Sequence, residues 1–265
     1  MEDYTMTDWD DLPFDKLHEE CGVFGIYHKG EAENLASDVY HALYALQHRG
    51  QESCGIAVNR DGVISCHKDV GLVNDVFSAD VLGKMTKGQA AVGHCRYATT
   101  GTLNRNNAQP MLVNHRKGTM ALCHNGNLTN AFQLRESLEE TGAIFHTTSD
   151  TEVIAYIITQ QRLKCASIEA AVLAAMGQLE GAYSLVMMSS TKLIAARDPH
   201  GFRPLCMGHI GEDVVFASES CALDAVGATF DRDIEAGEVV VVSSEGVKSY
   251  KLENARHDGM CVFEY

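Results

Sequence analysis

Positive charge is scarce in this chain: 21 lysines and arginines stand against 36 aspartates and glutamates, a net charge of −15. Such a surface repels polyanions, which argues against nucleic-acid and anionic-membrane binding. Long apolar runs are missing as well. No stretch reaches the roughly 20 residues of a membrane helix, and the start lacks the basic and apolar regions of a secretory signal. The nine cysteines are dispersed and form no Cys-x-x-Cys pair. An odd, scattered set suits a reducing cytoplasm better than a disulfide framework. Tryptophan occurs once, as Trp9. The 45% hydrophobic and 22% charged fractions fit a globular enzyme-like body, and 265 residues are ample for a sizeable core.

The acidity is uneven. Residues 1–20 hold eight acids against the single Lys16, so they carry about half of the net charge, and they show little apolar periodicity. At residue 21 the character changes to Cys21-Gly22-Val23-Phe24-Gly25-Ile26-Tyr27. A cysteine at such a break becomes a nucleophile with a built-in base if the leader is removed, because its thiol and its freed α-amine then share one residue.

Beyond the leader, residues 21–28 read as a strand and 33–49 as a helix, with Leu35, Val39, Leu43 and Leu46 at helical spacing and Gly50 as a left-handed stop. Short β-like runs at 55–59 and 63–68 flank Asp61-Gly62, a hairpin signal. A weakly patterned helix is expected over 75–85, and strands over 90–97 and 119–124. Between those strands residues 98–118 form a polar loop, long enough to suggest function. Helices follow at 129–141, 151–162 (opened by the capping-box pattern Ser149-x-x-Glu152) and 168–179. Strands are then expected at 183–189, 192–196, 204–210, 213–217, 238–243 and 247–252. Strands, then helices, then strands without regular βαβ alternation predict an α+β fold of two stacked, mostly antiparallel sheets.

Four groups could act together on a free amino acid. A guanidinium such as Arg96 binds an α-carboxylate as a bidentate pair, and a carboxylate such as Asp150 binds an α-ammonium. Attack of a thiolate on a side-chain amide develops a negative oxygen, which needs two converging donors. Asn125 offers a side-chain N–H and Gly126 an unobstructed backbone N–H. A zinc site from His94-Cys95 and Cys123-His124 is poorly supported, since adjacent strand residues face opposite sides and leave at most one ligand per strand.

The motifs Cys-Gly-Val-Phe-Gly at 21–25, Leu-Gln-His-Arg-Gly-Gln-Glu at 46–52, Gly-His-Cys-Arg-Tyr-Ala-Thr at 93–99, His-Asn-Gly-Asn-Leu at 124–128 and Thr-Ser-Asp-Thr-Glu at 148–152 resemble those of class II glutamine amidotransferases. Arg-Asp-Pro-His-Gly-Phe-Arg-Pro at 197–204 and Ala-Ser-Glu-Ser-Cys-Ala at 217–222 resemble the branch that delivers ammonia to phosphoribosyl pyrophosphate. The family pattern often has an apolar residue where this chain has Cys95, a departure that leaves the chemistry intact.

The resemblance implies a four-layer αββα N-terminal-nucleophile hydrolase sandwich over 21–265, preceded by a propeptide, 1–20, that ends Glu19-Glu20. It implies Cys21 as nucleophile, Asn125 and Gly126 as oxyanion hole, Arg96 and Asp150 as the glutamine clamp, and Arg49 and Gly50 in the glutamine-site loop. A phosphoribosyltransferase domain is expected beyond residue 265, with magnesium, and with a [4Fe–4S] cluster in some members. Cys261 stands where the first cluster ligand is expected, the other three lying outside this chain; no cofactor is expected within it. Glutamine and phosphoribosyl pyrophosphate are the implied substrates, with homo-oligomerisation of the longer protein. Another acceptor, such as fructose 6-phosphate or aspartate, or an inactive unprocessed regulatory module, is the alternative.

Overall fold

The computed structural model describes residues 21–97, 104–253, 255, 259, 261 and 264. The leader with Trp9, and Ala98 and Thr99 of the motif at 93–99, lie outside the described residues.

Two antiparallel sheets lie face to face. The first has seven strands: β1 (Gly22–Ala32), β2 (Ser53–Arg60), β3 (Val63–Val70), β4 (Gly88–Arg96), β9 (Cys206–Ile210), β10 (Asp213–Ala217) and β11 (Thr229–Asp233). Their spatial order is β11-β9-β10-β1-β4-β2-β3. The second has six: β5 (Met111–His115), β6 (Gly118–Leu128), β7 (Gly181–Ser189), β8 (Leu193–Arg197), β12 (Glu238–Ser243) and β13 (Gly246–Lys251), in the order β13-β12-β8-β7-β6-β5.

Period-two alternation sorts each strand between two cores. In β1, Val23 and Tyr27 enter the layer between the sheets, whereas Phe24 and Ile26 face helix α1 (Leu35–Ala45). In β12, Val240 and Val242 face inward while Val239 and Val241 pack with the helices on the far side. Helices α1, α2 (Val73–Val76), α3 (Ala79–Leu82) and α7 (Ser220–Ala225) cover the first sheet. Helices α4 (Ala131–Glu140), α5 (Asp150–Lys164) and α6 (Ile168–Met176) cover the second. The architecture is α+β in four αββα layers.

Several local readings change. The helix expected over 33–49 ends at Ala45 and continues as a 3₁₀ turn, Gln47–Arg49. Gly50 is not a left-handed cap: its φ is −156°, and a Cβ there would lie 2.7 Å from the Cys95 carbonyl carbon and oxygen. Close approach to β4, not turn chirality, requires glycine. The 75–85 helix is two short ones, interrupted where Ser78 caps α3 by accepting from Val81 N–H. β5 lies inside the stretch read as loop, and β9 begins only at Cys206. Helix α7 and strand β11 were not anticipated. The Asp61-Gly62 hairpin holds, with φ of 52° and 82°.

Candidate active site

β1 and β4 are antiparallel neighbours with Gly22 opposite Cys95, which brings Cys21 at the start of one strand beside Arg96 and Tyr97 at the end of the other. Cys21 Sγ lies 3.4 Å from both the backbone nitrogen and the carbonyl oxygen of Tyr97, and the residue is 8% exposed. Arg96 is buried, with Nη1 3.7 Å from Glu52 Oε2. From the second sheet come His124 and Gly126 of β6, and from the start of α5 come Ser149, Asp150 and Thr151. Cys21, Arg96, Gly126 and Asp150 all line one small cavity, together with Tyr97, Gln109 and the residues just named. A larger groove between β3, β5 and α5 contains none of the residues expected from sequence.

Gly126 has a φ of +133°, and a Cβ would sit 2.0 Å from the Ala182 carbonyl oxygen, so no other residue fits without displacing β7. Asn125 is fully buried and is not among the residues that line the cavity, and neither its Nδ2 nor its Oδ1 has a hydrogen-bond partner among the described residues. Buried amides are normally paired. This orphaned one lies between His124 and Gly126, which line the cavity, and packing alone does not account for it.

Asp150 is positioned by the second sheet. Its Oδ2 accepts from Leu128 N–H at 3.0 Å, and Oδ1 lies 3.5 Å from His124 Nδ1. Burial pushes its carboxyl upward, but His124 and the N–H bonds from Leu128 and Thr151 outweigh that and hold it below the usual carboxylate range. It is therefore an anion at neutral pH. Ser149 caps α5 by accepting from Thr151 N–H at 3.2 Å. The expected reciprocal half of the box is absent: Glu152 instead accepts from the N–H groups of His146 and Thr147. His94, two residues before Arg96, is wholly buried and pushed down to about 3 by that burial, so it is neutral.

Arg49 and Gly50 stand outside the cavity lining. Arg49 is buried and fully engaged: Nε donates to the Cys21 carbonyl at 3.0 Å, Nη1 to Glu219 at 2.6 Å and Nη2 to Glu264 at 2.8 Å. Its guanidinium thereby holds the backbone of Cys21. Cys261 is a half-buried free thiol, and among the described residues no three His, Cys, Asp or Glu side chains converge as metal ligands. Of the other lining residues, Tyr97, His124, Ser149 and Thr151 lie in the sequence motifs but were given no role in this site, and Gln109 lies in none. Most adjoin a predicted residue; Gln109 carried no signal.

The match to a glutamine amidotransferase domain spans residues 94–225. The chain is 48% identical over 254 residues to an amidophosphoribosyltransferase of Synechocystis, covering 94% of this chain and 51% of that protein. It is 43% identical to the amidophosphoribosyltransferase of Bacillus subtilis, with 94% and 51% covered. The solved structure of the B. subtilis glutamine phosphoribosylpyrophosphate amidotransferase, complexed with ADP and GMP, superposes with a TM-score of 0.85 at 41% identity, over 92% of this chain and 52% of that one. This chain belongs to the glutamine amidotransferases of the amidophosphoribosyltransferase type. The amidotransferase domain spans about half the length of the curated relatives it matches. A glutamine aminotransferase class-II domain protein of Silicibacter pomeroyi shares the fold at 15% identity, with a TM-score of 0.59.

Proposed function

We propose that this amidotransferase domain hydrolyses glutamine with Cys21 as nucleophile and supplies the ammonia to phosphoribosyl pyrophosphate. The Arg96 guanidinium binds the α-carboxylate of glutamine and Asp150 its α-ammonium, which sets the side-chain amide against Cys21 Sγ. Sulfur attacks the amide carbon, and the developing oxyanion is met by Asn125 Nδ2–H and Gly126 N–H. The thiol proton is relayed by the α-amine of Cys21, freed by loss of residues 1–20, to the departing nitrogen. A free α-amine titrates at about 7.7–8.0, suited to proton relay at neutral pH. Ammonia leaves, a glutamyl thioester remains, and water hydrolyses it to glutamate and free thiol.

One observation carries this reading: Cys21 just before β1, Arg96 of β4, Gly126 of β6 and Asp150 of α5 line the same cavity. The negative end of the clamp is supported by the depressed carboxyl of Asp150. Phosphoribosyl pyrophosphate as acceptor rests on the amidophosphoribosyltransferase relatives. In the longer protein ammonia would displace pyrophosphate to give 5-phosphoribosylamine, the entry to purine synthesis, in a cytoplasmic homo-oligomer. A cluster of four thiolates would draw one from Cys261 and three from outside this chain, and no step above depends on it.

The decisive experiment is glutaminase assay with covalent labelling. Cys21→Ala should abolish glutamate release while the protein stays folded. An electrophilic glutamine analogue should modify Cys21 alone, because among the nine cysteines it is the one that lines the cavity with Arg96 and Asp150. Labelling elsewhere with Cys21 untouched would remove the proposal.

A further inference from the structure

Gln109 lies just outside β5, next to the cavity. The β5–β6 register pairs Met111 with Leu122 and Leu112 with Ala121, so its continuation sets residue 109 opposite His124. The main-chain ladder cannot continue through Pro110, which has no N–H. The side chain of Gln109 takes over. Its Oε1 accepts from His124 N–H at 2.7 Å, and its Nε2 donates to the His124 carbonyl at 3.3 Å and to Thr151 Oγ1 at 3.1 Å. The same carbonyl accepts from His94 Nε2–H at 2.9 Å.

That carbonyl belongs to the peptide whose N–H is Asn125's own, so fixing it orients the backbone entering Asn125-Gly126. The contact to Thr151 ties the same amide to the residue after Asp150. One buried side chain, 3% exposed, thus joins the two halves of the site. Space is kept for it: a Cβ on Gly55 would lie 2.2 Å from the Gln109 carbonyl oxygen.

We infer that Gln109 is a positioning residue for amide hydrolysis, aligning the Asn125–Gly126 donors with the nucleophile by clamping the His124 peptide and the start of α5. This rests on the glutaminase reading above. A side chain that only filled space could be replaced by an apolar one of similar length without a selective effect on turnover. A clamp that sets donor positions cannot, because misplacement by about an ångström costs on the order of 10²-fold in rate.

The test compares Gln109→Met and Gln109→Glu with the parent, each in the processed form that begins at Cys21, measuring kcat and KM for glutamine from pH 8 to pH 5.5. Gln109→Met should lower kcat by about 10²-fold and leave KM within about threefold, since Asp150 keeps its bond from Leu128 N–H. Gln109→Glu supplies the discriminating signature. Ionised, it accepts from His124 N–H but donates nothing; protonated, it regains one O–H donor in place of the two donations that glutamine Nε2 makes. Its kcat relative to the parent should therefore rise as pH falls. The charged or titratable groups around it are Cys21, Lys68, His94, Arg96, Tyr97, His124 and Asp150; the parent shares them all, and the ratio cancels their own titration. A Gln109→Met kcat within threefold of the parent, or a Gln109→Glu ratio flat with pH, would overturn the inference while leaving the glutaminase reading intact. A parent unable to hydrolyse glutamine would overturn both.

Discussion

Replacing Asn125 with alanine should separate stability from catalysis. Both polar atoms of this side chain are buried without partners among the described residues, so the folded protein bears the desolvation of an amide and recovers no hydrogen bond for it. An unsatisfied buried polar group costs about 1–3 kcal/mol. Truncation to alanine removes that cost and substitutes a small cavity, which costs roughly the same amount. The two nearly cancel, leaving a net change within about 1 kcal/mol, or about 2–4 °C in Tm for a domain of this size. Loss of an oxyanion donor, by contrast, costs about 10²–10³-fold in kcat, or about 2.7–4 kcal/mol. Thermal unfolding and glutamate release at saturating glutamine, measured on the same preparation, should show a nearly unchanged Tm beside that loss of turnover. Ser184, opposite Asn125 in β7, is the control: its hydroxyl sits 3.2 and 3.1 Å from the carbonyls of Arg203 and Pro204. Ser184→Ala should lower Tm and leave kcat within about threefold of the parent. An Asn125→Ala protein whose KM alone changes, or whose kcat falls less than tenfold, would refute the oxyanion assignment.

Arg96→Lys keeps the charge but loses the planar fork, so KM for glutamine should rise while kcat changes little; steady-state kinetics decide it. Native His94 stays neutral down to about pH 3, whereas an unfolded histidine takes up a proton near 6.5. Its contribution is therefore complete above about pH 6.5 and is lost as pH falls toward 3, by up to about 1.4 kcal/mol per pH unit. His94→Gln should flatten that part of the acid limb in urea melts, and an unchanged slope would contradict the buried neutral state. Removing residues 1–20 should delete all tryptophan emission, since Trp9 is the only tryptophan, and glutaminase activity should rise with it. An uncleaved chain as fast as one beginning at Cys21 would defeat the terminal-amine mechanism.

Most of the architecture was legible in local pattern. Alternation in the valine run of 239–242 gave a strand with two apolar faces, the helical spacing of Leu35, Val39 and Leu43 gave α1, and Asp61-Gly62 gave its hairpin, because each signal is written within a few residues. The elements that sequence missed lack such a signal. β11 is an edge strand whose residues are largely exposed, and α7 is six residues long, held by packing on α1.

The identities of Cys21, Arg96, Asn125, Gly126 and Asp150 were set by sequence, since residue chemistry and motif spacing are properties of the chain alone. Which groups meet depends on the packing of the two sheets. Gly50 reads as a helix stop until β4 comes within 2.7 Å of where its Cβ would be, and Arg49 reads as a ligand residue until Cys21 O, Glu219 and Glu264 take up its donors. Gln109, remote from every motif, acquires its role because the chain stops pairing at Pro110 and leaves the His124 peptide to a side-chain amide. Hydrogen bonds between residues far apart in sequence depend on register and close approach, and those exist only once the two sheets have stacked.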